Sequence, residues 1–81
     1  MITAVQAKEK TKERITRAAK EFIINEVERA VDVAIGFGQF NCTVKHTHNI
    51  PFQEAVVKLL EKEGFTVITE EGYYDINWEA C

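Results

Sequence analysis

The chain has 81 residues, with ten Lys+Arg against thirteen Asp+Glu for a formal charge of −3, and 46 % of its residues are hydrophobic; this is the composition of one small globular domain, residues 1–81. These figures exclude a multidomain enzyme, a disordered tail and, with only Cys42 and Cys81 present, a disulfide scaffold. No apolar run approaches the ~18 residues of a membrane span, and no apolar h-region follows Met1, so free thiols in a reducing cytoplasm and no membrane partner are expected.

Thr3, followed three residues later by Gln6, is a capping-box signature. No Pro or Gly interrupts the chain before Gly36, and Ile15, Ala18, Ala19, Phe22, Ile23, Val27, Ala30, Val31 and Ala34 recur at spacings of three and four. One helix from Thr3 to Ile35 is predicted. Ile24, Val33 and Ile35 fall off this stripe, so the C-terminal half is apolar on more than one side and must enter a deep core or meet a second chain. Such a helix is about 50 Å long, against a radius of gyration of about 12 Å for a domain of this size. Residues 1–14 are therefore expected to project as a basic arm. Gly36-Phe37-Gly38 ends the helix, with Gly36 expected in the left-handed position after it.

Phe40, Cys42, Val44 and His46 alternate with Asn41, Thr43 and Lys45, the pattern of a half-buried strand. Pro51 suits the first turn of a second helix capped by Asn49 or Ile50. Phe52, Ala55, Val56, Leu59 and Leu60 give it an unbroken apolar face. Gly64 stops it, with Phe65 folding back on Leu60. Phe65 to Thr69 is β-branched and aromatic. After Glu70-Glu71-Gly72, Tyr74, Ile76 and Trp78 alternate with Tyr73, Asp75 and Asn77, which completes a hairpin. The fold class is α+β: a long N-terminal helix plus a second helix packed on a small three-stranded mixed sheet, in the order α-β-α-β-β. The last strand is placed between the other two, as in a split β-α-β, because Ile76 and Trp78 call for burial. Both helices then cover one sheet face, and the other face is wet.

Charge is unevenly spread. Residues 8–20 hold six basic residues, Lys8, Lys10, Lys12, Arg14, Arg17 and Lys20, against Glu9 and Glu13, for +4. Residues 21–81 hold four basic residues against eleven acids, for −7. A solvated helix end, a basic arm lying on the acidic body of another copy, and a nucleic-acid arm compete as explanations. Nucleic acid is not favoured, since the acidic body repels phosphates and no aromatic side chain interleaves with the lysines. A domain this short is marginal alone, so a homo-oligomer is expected. Its interface is expected at Phe22, Ile23, Ile24, Val27, Val31 and Ile35.

Cys42, His46 and His48 have ligand-type side chains, but straight extension separates positions 42 and 46 by roughly 13 Å, too far for one zinc ion. Cys42 with His46 as a nucleophile pair needs an orienting group and an oxyanion site, and nothing in the sequence supplies the latter. No metal, cofactor or catalytic residue is expected. Tyr73, Asp75 and Asn77 share the uncovered sheet face and are the candidate site for a polar small ligand or a partner protein.

Val56-Val57-Lys58-Leu59-Leu60-Glu61-Lys62-Glu63-Gly64-Phe65 and Tyr74-Asp75-Ile76-Asn77-Trp78, following a long charged N-terminal helix and one strand, resemble a class of short accessory proteins of tailed bacteriophages. The resemblance covers most of the chain. It implies inhibition of host machinery or defence, sequestration of a ligand by an oligomer, or assistance in virion assembly, in the host cytoplasm. The reading that follows is a non-enzymatic, oligomeric binding protein that inhibits a host factor or sequesters a small nucleotide-like ligand. The alternatives are a structural or assembly component and a nucleic-acid-binding regulator using the basic helix.

Overall fold

The apolar stripe of the first helix slips by one residue midway, and the backbone absorbs the slip. At about 100° per residue, Ala18, Ala19 and Phe22 do not share an α-helical face with Val27, Ala30 and Ala34; the two sets differ by roughly one residue's rotation. A π-helical turn inserts one residue and realigns them. In the structure, a computed structural model that describes residues 1–79, α1 spans Ala4–Phe22, a π-helical segment spans Ile23–Val27 and α2 spans Glu28–Gly36. The path is continuous, with Ile23 and Glu28 both in right-handed helical conformation. The single helix of the sequence reading is thus corrected to two α-helices joined by a π turn. Ala19, Val27 and Ala34 are all buried as a result.

Local chemistry sets the ends. Thr3 Oγ1 accepts from the Gln6 N–H at 3.2 Å, and Gln6 Oε1 accepts from the Thr3 N–H at 3.0 Å, forming the expected capping box. At the far end the Gln39 N–H donates to Ala34 O at 2.9 Å and the Gly38 N–H to Ile35 O at 3.0 Å. The left-handed residue is Gly38, at φ 72°, and not Gly36, which is the last helical residue. Helix α3, Ile50–Lys62, has Asn49 as its cap: the Asn49 Oδ1 accepts from the Phe52 N–H at 3.2 Å. It ends as read from the sequence, with Gly64 at φ 95° and the Phe65 N–H on Leu60 O at 3.1 Å.

Strands β1 (Asn41–Lys45), β2 (Thr66–Glu70) and β3 (Tyr73–Asn77) form one sheet in the order β1-β3-β2. Cys42 and Val67 flank Ile76, and Val44 and Thr69 flank Tyr74. The central place of β3 follows from its two fully buried side chains, Tyr74 and Ile76. Both pairings are antiparallel, which corrects the mixed sheet of the sequence reading. β1 and β2 do run parallel, but β3 lies between them.

α2 packs on β1, α3 on β2, and α1 on α3, so the helices share one sheet face. The core there comprises Ala19, Val27, Val44, Val56, Leu60, Tyr74 and Ile76. Phe40, assigned to the inner face from its alternation, precedes β1 and is 55 % exposed; its carbonyl accepts from the Trp78 N–H at 2.9 Å. The molecule measures 53 × 23 × 20 Å, and residues 1–14 are all exposed, as a projecting arm requires. None of the described helices is long and apolar enough to cross a membrane.

Candidate functional site

Three surfaces and one buried cluster hold the residues of interest. The cluster joins Phe22 of α1, His46 just past β1, His48 of the following loop, Phe52 of α3 and Tyr74 of β3. The Tyr74 ring stacks on His46 at 3.9 Å between centroids, and Phe22 meets His48 edge-on at 4.5 Å. Burial pushes the Tyr74 hydroxyl up to about 12, and this hydroxyl is hydrogen-bonded to His48 Nδ1 at 2.9 Å, the imidazole tautomer setting which of the two donates. The His48 N–H donates to His46 Nδ1 at 3.1 Å, which places the proton of neutral His46 on Nε2. That atom is buried with no hydrogen-bond partner among the described residues. Gln53 Nε2 donates to the His48 carbonyl at 2.7 Å and ties the loop to α3.

Burial, and then neighbouring His46, lower the His48 pKa from its ordinary 6.5. The unfolded chain therefore takes up a proton more readily than the folded one as pH falls. The stabilisation this neutral imidazole contributes is complete above about pH 6.5 and is lost below it, down through the folded value. Thermal melts at successive pH values check this. The melting temperature is expected to fall below that point, and to fall less in His48→Gln. Equal acid sensitivity in both chains would remove His48 as the cause.

The sequence brought Cys42, His46 and His48 together as a ligand-like set, but the fold separates their roles. Burial, and then the Asp75 carboxylate, push the Cys42 thiol up, which keeps it protonated and a poor nucleophile. Both histidine Nδ1 atoms are engaged, that of His46 by the His48 N–H and that of His48 by the Tyr74 hydroxyl on β3. Among the described residues no group of three or more His, Cys, Asp or Glu is placed to hold a metal ion. Cys81 lies outside the described residues.

The first surface is a groove of about 620 Å³ between the long helix and the C-terminal part of α3. Ile23, Val27 and Val31 line one wall, Leu59, Leu60 and Phe65 the other, and Ile24 stands at the edge. Lys20, Glu28, Asp32 and Glu63 complete the lining, three acids to one cation. Four of the six residues expected at an oligomer interface, Ile23, Ile24, Val27 and Val31, thus meet here. Two of the six pack within the chain itself. Val27 is 1 % exposed and belongs to the chain's own core, although its edge reaches the groove. Phe22 packs in the aromatic cluster against His48, Phe52 and Tyr74. Ile24 and Ile35 remain 60 % and 58 % exposed.

The second surface is the sheet face opposite the helices. The register sets three rows across it: Asn41, Asn77 and Thr66; Thr43, Asp75 and Ile68; Lys45, Tyr73 and Glu70. Tyr73, Asp75 and Asn77 lie in line on the central strand, as the alternation required. Ile68 beside them is half exposed and was not among the sequence-derived candidates, although the hairpin itself pairs it with Asp75. Small-molecule sites are typically concave, and an open three-stranded face is better matched to a protein surface. The third surface is the arm, where Lys8, Lys10, Lys12, Arg14 and Arg17 are all exposed.

No protein-family model, curated protein or solved structure matches the chain.

Proposed function

We propose that the chain is a non-enzymatic binding protein, a phage-type accessory protein that works as a homo-oligomer and inhibits a host factor by binding it. The observation that carries this reading is the apolar groove beside the π turn, which the chain itself leaves unfilled and along which Ile23, Ile24 and Val31, three of the residues expected at an interface, stand. Exposed Ile24 and Ile35 flank the same helix, and contiguous apolar surface of this kind marks interaction sites. A host protein is favoured over a small nucleotide-like ligand because Tyr73, Asp75 and Asn77 stand on an open face. The groups that enzymes recruit support the reading too: Tyr74, His46 and His48 bond to one another, and Cys42 packs on the core.

A nucleic-acid-binding regulator is the second reading, favoured by the exposed cations of the arm. Photocrosslinking from position 73 in bacterial cells separates the two. The expected product is one discrete protein adduct that disappears with Asp75→Ala or Asn77→Ala. Adducts to nucleic acid alone, or adducts that are indifferent to both substitutions, would overturn the proposed function.

A further inference from the structure

The N-terminal arm and the groove are complementary, but within one chain they cannot meet. The arm is the rigid continuation of the helix that forms one groove wall, so it points away from that wall along the 53 Å axis. We propose that the arm of one copy lies in the α2–α3 groove of another, an inference that rests on the homo-oligomer reading above.

The arm has a face of the right kind. At about 100° per residue, Ala4, Ala7 and Thr11 fall within one exposed strip roughly 60° wide, which runs on toward Ile15 and Ala18, both half-buried by the chain itself. Thr11 Oγ1 donates to the Ala7 carbonyl at 2.8 Å, so its hydroxyl is satisfied within the helix and the strip has no unmet donor. Small side chains let a helix approach another surface closely. Lys8 and Arg14 border the strip and Lys10 and Lys12 stand just outside them, while Glu9 and Glu13 lie on the far side. The cations therefore ride beside the docking strip and the acids point away from it.

The groove presents the converse, an apolar floor with Glu28, Asp32 and Glu63 along its lining. Arm against arm would set cations beside cations, whereas arm against groove sets them beside acids. The arm's tip adds Met1, Ile2 and Val5, three large apolar side chains that are all more than half exposed. The capping box at Thr3 and Gln6 holds the helix formed up to that tip, so the arm is shaped before it docks and less ordering entropy is lost on binding.

Charge exchange tests the contact. One variant carries Lys8→Glu, Lys10→Glu, Lys12→Glu and Arg14→Glu; the other carries Glu28→Lys, Asp32→Lys and Glu63→Lys. All seven positions are exposed, and circular dichroism confirms that each variant folds. Each variant alone is expected to run at the monomer mass of 9.3 kDa, while an equimolar mixture regains the wild-type oligomer mass, since the acidic arm then meets the basic groove and the basic arm the acidic one. A wild-type oligomer mass in either variant alone, or a mixture that stays monomeric, overturns the arm-in-groove contact while leaving self-association intact. A wild-type chain that is itself monomeric overturns both.

Discussion

Tyr74→Ala is expected to unfold the domain. Tyr74 is fully buried on the central strand, flanked by Val44 and Thr69, stacked on His46 and bonded to His48. Truncating a buried aromatic side chain costs about 3–5 kcal/mol, which is comparable to the whole stability of a domain this small, on the order of 5 kcal/mol. Tyr74→Phe separates packing from the hydrogen bond: it keeps the ring and removes one hydroxyl, at a cost of about 1 kcal/mol. Urea titration followed by circular dichroism reads both. A cooperative transition in Tyr74→Ala with a midpoint near wild type would refute the placement of this ring at the centre of the core.

Ile24→Asp and Val27→Asp are expected to have opposite consequences, although the two residues sit three apart in the same π turn and line the same groove. Val27 is 1 % exposed within the chain's own core, so a carboxylate there is a buried unpaired charge and the fold is lost. Ile24 is 60 % exposed, and a polar residue there changes monomer stability by only about 0.5 kcal/mol. In the assembly the same carboxylate faces an apolar contact, and association is expected to weaken at least about tenfold, the equivalent of 1.4 kcal/mol. Equal melting temperatures for Ile24→Asp and wild type at a dilution where both are monomeric, with a lower oligomer fraction in the variant at higher concentration, is the predicted pattern. A destabilised Ile24→Asp monomer would show that this side chain belongs to the core.

The contrast between these two residues shows how much of the molecule was legible. Signals that act within a few residues read well: the Thr3–Gln6 box, the Asn49 cap, the Gly64–Phe65 stop and the alternation of the hairpin all form as their local chemistry dictates. The centre of the sheet was legible through Ile76, read together with Trp78 as calling for cover; the strand buries Ile76 and Tyr74, while Trp78 lies past its end and is half-buried. The π turn was present in the sequence as a one-residue slip between the Ala18–Phe22 and Val27–Ala34 stripes, but a generous stripe hides a slip of that size. The burial of Val27 in the chain's own core was hidden for a related reason. Periodicity shows that a helix face is apolar, and says nothing of whether its own sheet or a second copy covers it.

The candidate surfaces divide in the same way. Tyr73, Asp75 and Asn77 share a face because strand alternation is a local rule. The groove joins residues 20–32 to residues 59–65, and the His48–Tyr74 bond spans 26 positions. Contacts over such distances arise from topology, and no local spacing announces them.

The central claim is that this chain acts as a homo-oligomer held through its arm and its acidic, apolar groove. Light scattering after size exclusion, at about 50 mM and about 500 mM salt, tests it most directly, because the higher salt shortens the screening length to a few Å. The account predicts a discrete oligomer at the lower salt and a shift toward the 9.3 kDa monomer at the higher. A monomer under both conditions would contradict it.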